Sequence, residues 1–512
     1  TIQYEMCYTN ILQILELSQI PLSACDRDDS VPIVIGGGPC TYNPEPLAEF
    51  FDLFYIGDGE TVYGKLLDAY KENRKGGGSR KDFLEKAAEI EGIYVPGFYE
   101  AAYREDGTIE SFTPVNPHAK ATIQKQMVKD LTGTYYPKAP VVPFIKVTQD
   151  RIVLEIQRGC IRGCRFCQAG MLYRPTRERN VETLKQYAYQ MLKNTGHEEI
   201  SLSSLSSSDY SQLKELVTFL IEEFKGDGIN ICLPSLRIDA FSLDVMGKVQ
   251  DVRKSSLTFA PEAGSQRMRD VINKGLTEEI ILDGAGQAFA GGWNKVKLYF
   301  MLGLPTETEE DMKEIPRLAD KIARRYYEIP KEQRNGKCQI TTSTSFFIPK
   351  PFTPFQWAKM YSNEEYIARA AVVKHEFQEQ LNRKSLKYHW HDAEVTVLEG
   401  VFARGDRKLS KVIQEAYRLG CLYDSWTETF DNEKWMKAFA NTGVDIGFYN
   451  LRERDADEIF PWDFIDIGVT KDFLYREWQR AQKGEVTPNC RVKCSGCGAM
   501  KYKGGVCVEG KN

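Results

Sequence analysis

A chain of 512 residues, 42% hydrophobic and 27% charged, is longer than one hydrophobic core sustains, so two or three domains are expected. The formal net charge of -5 excludes a global basic field for nucleic acid, though not a local basic groove, and the lack of any run of about 18 apolar residues excludes a helical membrane span. Thirteen cysteines gathered mainly in two groups exclude a small disulfide scaffold and point to metal binding in a reducing, cytoplasmic compartment.

The chain opens on Thr1 inside a helical pattern (Ile11, Leu12, Ile14, Leu15, Leu17), so a preceding N-terminal piece is expected. Pro32–Ile35 reads as a buried strand ending in Gly36, Gly37 and Gly38, with a helix over Pro44–Phe51. Leu53–Ile56 reads as a second strand, ending at Gly57 and Gly59 before a helix over Val62–Lys75. Strand, glycine turn and helix, repeated, predict an open parallel α/β sheet over 1–92, whose ligands bind beyond the carboxyl ends of the strands. The glycines either let backbone approach a ligand or serve turn geometry alone. A proline-rich connector is predicted over 93–150.

From Arg151 the pattern is regular. Strands are predicted at 151–156, 200–204, 229–233, 256–260, 296–300 and 340–347, separated by helices at about 180–192, 213–224, 243–249, 266–273, 278–289 and 309–327. Successive β-α units of this kind predict a partial parallel (β/α)6 barrel over 151–350, with its active site at the carboxyl ends of the strands. Residues 351–480 read as a mostly helical domain, with one strand at Glu394–Leu398, and 481–512 as a cysteine-rich metal-binding tail.

Cys160, Cys164 and Cys167, spaced C-x3-C-x2-C directly after the first barrel strand, are three thiolates within eight residues. No fourth Cys or His lies near in sequence. A zinc knuckle would need a distant residue to complete it, whereas three thiolates on a four-iron cluster leave one iron open for a ligand. The tail has four: Cys490, Cys494, Cys497 and Cys507 could close a zinc site or hold a second iron-sulfur cluster. His389 and His391 alternate along a strand-like run and read either as a metal pair or, more commonly, as ordinary hydrogen-bonded histidines.

With Phe166 ahead of its last cysteine, the loop resembles the radical S-adenosylmethionine (radical SAM) signature. Leu154–Cys160, Leu257–Gly264 and Gly303–Thr308 are similar to bacterial radical SAM proteins of unassigned substrate that carry an N-terminal B12-binding domain. The resemblance implies a [4Fe-4S] cluster on Cys160, Cys164 and Cys167. It also implies contacts to S-adenosylmethionine from Phe166, Ser203, Ser204, Ser235, Arg237, Glu262, Met301 and Gly303. The first 92 residues resemble the later half of a flavodoxin-like cobalamin domain, in which Gly36, Gly37, Gly38, Gly57 and Gly59 would line the cobalamin loops.

The expected function is reductive cleavage of S-adenosylmethionine to a 5'-deoxyadenosyl radical, with cobalamin-dependent methyl transfer to an unactivated carbon as the favoured reaction. The alternatives are a methylthiotransferase-like RNA-modifying enzyme and a nucleic-acid-binding or redox-sensing iron-sulfur or zinc protein. Expected partners are a small-molecule or RNA substrate and a reducing electron donor such as flavodoxin or ferredoxin.

Overall fold

The computed structural model describes residues 1–232 and 257–509. Ser235, Arg237 and the helix expected at 243–249 lie outside the described residues. The chain divides into two compact units that cut across a division drawn along the sequence. One joins 1–128, 348–365 and 392–476; the other joins 129–347, 366–391 and 477–512.

In the first unit a three-stranded sheet runs Ile35–Gly36, Leu53–Tyr55, Ile93–Tyr94. Its first two strands are parallel and the third is antiparallel, so the sheet is mixed where an all-parallel one is expected. The helix expected over 44–51 shrinks to one 3-10 turn, Glu45–Leu47, because the stretch is held by long-range contacts instead. Glu45 is fully buried against the guanidinium of Arg407 at 3.1 Å, and Asn43 donates to the carbonyls of Ala403 and Gly405. Beginning and end of the unit are thereby one core, and the polar turn at 403–407 is the partner that the N-terminal segment needs. The expected connector contributes the hairpin Tyr99–Tyr103/Ile109–Pro114 to the same unit.

Residues expected as a strand at 394–398 form instead the start of helix Ala393–Arg404. Val395, Thr396 and Val397 favour a strand, but Asp392 caps the Glu394 and Val395 amides, and tertiary packing buries Leu398, Val401 and Phe402.

The second unit carries the repeating β-α units. Strands Ile152–Glu155, Glu199–Ser203 and Asn230–Cys232 form one parallel sheet, with Glu199–Ser203 in the middle. Asn180 caps helix Val181–Thr195 through the Glu182 and Thr183 amides, as its sequence suggests, and that helix buries Leu184, Ala188 and Met191 against Ile152, Leu154, Ile200 and Leu202. A second parallel sheet runs Leu257–Glu262, Lys295–Leu302, Gln339–Phe346, Leu386–Trp390. Its last strand extends the expected six to seven among the described residues. It carries His389 and leaves both His389 and His391 exposed. Gly264 sits where an added Cβ would lie 2.3 Å from the Ile315 amide, so the glycine after the Leu257–Glu262 strand is what lets helix Glu309–Tyr327 pack closely.

Candidate active site at the cysteine loop

The Cys160–Cys167 loop follows the Ile152–Glu155 strand, at the strand's carboxyl end. Gly159 begins it at φ 91°, where a Cβ would meet the Tyr173 carbonyl at 2.4 Å, so the turn requires glycine. Two sulfurs already accept backbone amides: Cys160 Sγ from Arg162 at 3.4 Å and Cys167 Sγ from Gly170 at 3.3 Å. Amide donors aimed at sulfur stabilise thiolate charge, the form that ligates iron. Burial pushes the Cys160 thiol up to about 12 and the Cys167 thiol to about 11, with the neighbouring Cys164 sulfur adding to both. Among the described residues, no three His, Cys, Asp or Glu side chains are arranged to grip a single metal ion.

The loop is clamped from several sides. Arg165, with its side chain fully buried, donates to Glu477 at 3.0 Å and to the Val271 carbonyl at 3.0 Å, while its amide donates to Ile272. Arg162 forms a two-pronged pair with Asp209, just beyond the Glu199–Ser203 strand. Asn273, at φ 53°, donates to the Gly163 carbonyl.

The other expected residues fall on strand ends of the same unit. Ser203 ends its strand, and Ser204 Oγ lies 3.1 Å from Ser207 Oγ in a turn where it also accepts the Ser206 amide. Glu262 follows an irregularity in strand register and holds φ 68°, an uncommon backbone state for a residue with a Cβ. Its carboxylate pairs with Lys274 at 3.3 Å, and the Lys274 ammonium stands 5.8 Å from the Phe166 ring centre. The structure therefore brings Glu262 to the cysteine loop through a cation that the sequence reading did not single out. Met301 is buried, and Gly303, at φ 84°, gives its amide to Glu307 at 2.7 Å. Gly303 therefore contributes close backbone approach rather than a free donor. Glu307 is itself buried beside Arg369 at 3.1 Å, and burial lifts its carboxyl to about 7.

The glycines expected to line cobalamin are used largely by the chain itself. A Cβ at Gly36 would enter the Phe54 ring, one at Gly38 would meet the Ile2 carbonyl at 2.7 Å, and one at Gly57 would meet the Gln126 carbonyl at 2.1 Å. Gly37 and Gly59 meet open space, so of the five these two leave room for a ligand to approach the backbone.

Two family models match this chain: "Radical SAM proteins, N-terminal" over residues 1–96 and "Radical SAM superfamily" over residues 154–319. Residues 154–319 are thus a radical SAM domain. Among curated relatives, the uncharacterized protein MJ0966 of Methanocaldococcus jannaschii is 29% identical over 87% of this chain and 85% of its own. The uncharacterized methyltransferase PH0819 of Pyrococcus horikoshii is 22% identical over 58% of this chain and 59% of its own. Among solved structures, the cobalamin-dependent S-adenosylmethionine radical enzyme OxsB aligns over 99% of this chain and 74% of its own, with a loose TM-score of 0.44 and 13% identity. No helix among the described residues is long and apolar enough to cross a membrane.

Proposed function

We propose that this protein cleaves S-adenosylmethionine reductively at a cluster held by Cys160, Cys164 and Cys167, that the 5'-deoxyadenosyl radical takes a hydrogen atom from a substrate carbon, and that this carbon receives the methyl group of a second S-adenosylmethionine, which leaves as S-adenosylhomocysteine, an external reductant supplying one electron for each S-adenosylmethionine consumed. The observation that carries the reading is the cysteine loop itself: three sulfurs in eight residues at the end of a parallel strand, two of them already receiving backbone amides. A bound four-iron cluster would supply one electron to the sulfonium, whose carbon-sulfur bond breaks to methionine and a 5'-deoxyadenosyl radical.

The chain's own residues bind and orient. Glu262 would accept hydrogen bonds from the ribose hydroxyls, with Lys274 holding its carboxylate in place. Ser203 and Ser204 would face the methionine amino group, and Met301 and the bare backbone at Gly303 would flank adenine. Ser235 and Arg237 are proposed for the methionine carboxylate, Arg237 through its two-pronged guanidinium.

Methyl transfer is favoured by the relative named as a methyltransferase. A methylthiotransferase reading would require a further cluster in the N-terminal segment. There Cys25 is exposed and hydrogen-bonds Ser23 and Asp26, whereas Cys7 and Cys40 are half-buried. Methyl transfer is tested by incubating the reduced protein with S-adenosylmethionine deuterated in its methyl group and a cell extract freed of small thiols. Deuterated methyl in a product is expected. Sulfur insertion alongside it, or 5'-deoxyadenosine with no labelled product in any fraction, overturns the methyl-transfer step. The substrate class, small molecule or RNA, is read from the fraction that carries the label.

A further inference from the structure

The tail is packed onto the cysteine loop. The Cys490 amide donates to the Ile161 carbonyl at 3.0 Å, and the Val506 amide to the Thr176 carbonyl at 3.0 Å. Gly505, at φ 55°, approaches that carbonyl so closely that a Cβ would lie 2.0 Å from it. Arg491 reaches back to the Asp209 carbonyl at 2.7 Å and to Glu178. These contacts tie both ends of the C-x3-C-x2-C-x9-C stretch to the segment between Ile161 and Glu178.

Arg174 joins the two cysteine groups. Its buried guanidinium donates to the Gly170 carbonyl at 3.1 Å and the Arg162 carbonyl at 3.0 Å, beside the first loop. It lies in the field of Cys490, Cys497 and Cys160 together. The tail sulfurs also face one another: Cys507 feels Cys497, Cys490 and Cys494. Cys497 is buried, and Cys490 and Cys507 are half-buried. A wholly structural, metal-free role leaves unexplained why four thiols should converge beside a cation in so short a segment.

The arrangement also bears on which metal. The tail repeats the spacing of the first loop, 490-494-497 against 160-164-167, and adds Cys507 as a fourth sulfur. That spacing suits three corners of a four-iron cluster, and the fourth sulfur supplies the remaining corner. We infer that Cys490, Cys494, Cys497 and Cys507 hold a second iron-sulfur cluster, fully ligated by protein and docked on the first loop through Arg174. With four thiolates it has no open iron, so it does not bind S-adenosylmethionine; it seats the loop that does. The inference rests on reading the first loop as an iron-sulfur site.

The test uses the full chain, purified and reconstituted without oxygen with iron and sulfide, with iron, sulfide and zinc counted per chain. About eight irons are expected in the wild type, and about four should remain in the Cys160→Ala/Cys164→Ala/Cys167→Ala variant, since each four-iron cluster contributes four. One zinc per chain that disappears with Cys490→Ala/Cys497→Ala, or complete loss of iron in the triple variant, overturns the second cluster. Should the tail double variant fail to fold, Cys494→Ala, at an exposed position, serves instead. It should change the low-temperature paramagnetic spectrum of the reduced triple variant, and an unchanged spectrum counts against the assignment. Iron retained in the tail with none on the first loop would sink the functional reading and leave this inference standing.

Discussion

The Lys274 ammonium lies 3.3 Å from the Glu262 carboxylate and 5.8 Å from the Phe166 ring centre, so one cation links the end of a parallel strand to the cysteine loop. Glu262 holds φ 68°, so its backbone is strained for any residue with a Cβ. Two substitutions separate binding from strain. A hydrogen bond to a charged group is worth about 1.5–3 kcal/mol, so Glu262→Gln should weaken S-adenosylmethionine binding by roughly 10- to 100-fold. Glu262→Gly should lose binding to the same degree while unfolding at equal or higher denaturant concentration, because glycine accepts the left-handed conformation. Retained affinity in both would remove Glu262 from the site.

Glu307 makes stability fall with rising pH. Its carboxyl is raised from 4.5 to about 7 by burial, so the folded state holds its proton more tightly than the unfolded chain does. The group's contribution is most favourable below pH 4.5 and is lost as pH rises through 7, a change of up to about 3 kcal/mol. Denaturant titrations of wild type and Glu307→Gln should therefore diverge between pH 5 and 8, with the wild type losing ground as pH rises. Parallel curves would show that Arg369 keeps the carboxylate charged throughout.

Arg165 and Glu477 pair with both side chains inaccessible to water. Removing one partner of a buried pair costs about 3–5 kcal/mol, because the other charge is left without compensation. Arg165→Met should lower the thermal midpoint markedly and reduce the iron retained after gel filtration. Arg165→Met/Glu477→Leu should recover much of the stability. Equal losses in the single and double variants would mean that Arg165 acts through the Asp270 and Val271 carbonyls instead.

The N-terminal glycines divide into two kinds. Gly38→Ala and Gly57→Ala force a Cβ into a neighbouring carbonyl at positive φ, and each should cost at least about 1–3 kcal/mol in a denaturant titration. Gly37→Ala and Gly59→Ala meet open space and should stay within about 0.5 kcal/mol of wild type. Supplying cobalamin to all four and reading corrinoid absorbance after desalting tests the B12 expectation. Absorbance lost only in Gly37→Ala and Gly59→Ala would support it, and none in the wild type would remove it.

What the sequence made legible was mostly local. The helix faces at 184–191 and 216–224 follow the 3.6 period, and the Asn180 cap and the C-x3-C-x2-C loop are read within a few residues of one another. Pairings between distant segments were not. Glu45 reads as part of a helix until Arg407 is seen to pair with it, and Val395–Val397 read as a strand because the Asp392 cap competes with β-branched propensity. Lys274 carries no motif, since only the fold sets a lysine against Phe166 and Glu262. A glycine that serves a ligand and one that serves the chain's own close approach share the same letter, which is why Gly38 and Gly57 could not be told from Gly37 and Gly59.

The measurement closest to the central claim is anaerobic production of 5'-deoxyadenosine from S-adenosylmethionine by the reduced, reconstituted protein, beside its Cys164→Ala variant. The account predicts formation by the wild type and none by the variant, whose tail metal stays in place. Cleavage that survives Cys164→Ala would contradict the assignment of the cluster to Cys160, Cys164 and Cys167, and no cleavage by a wild type loaded with iron would contradict the enzyme reading.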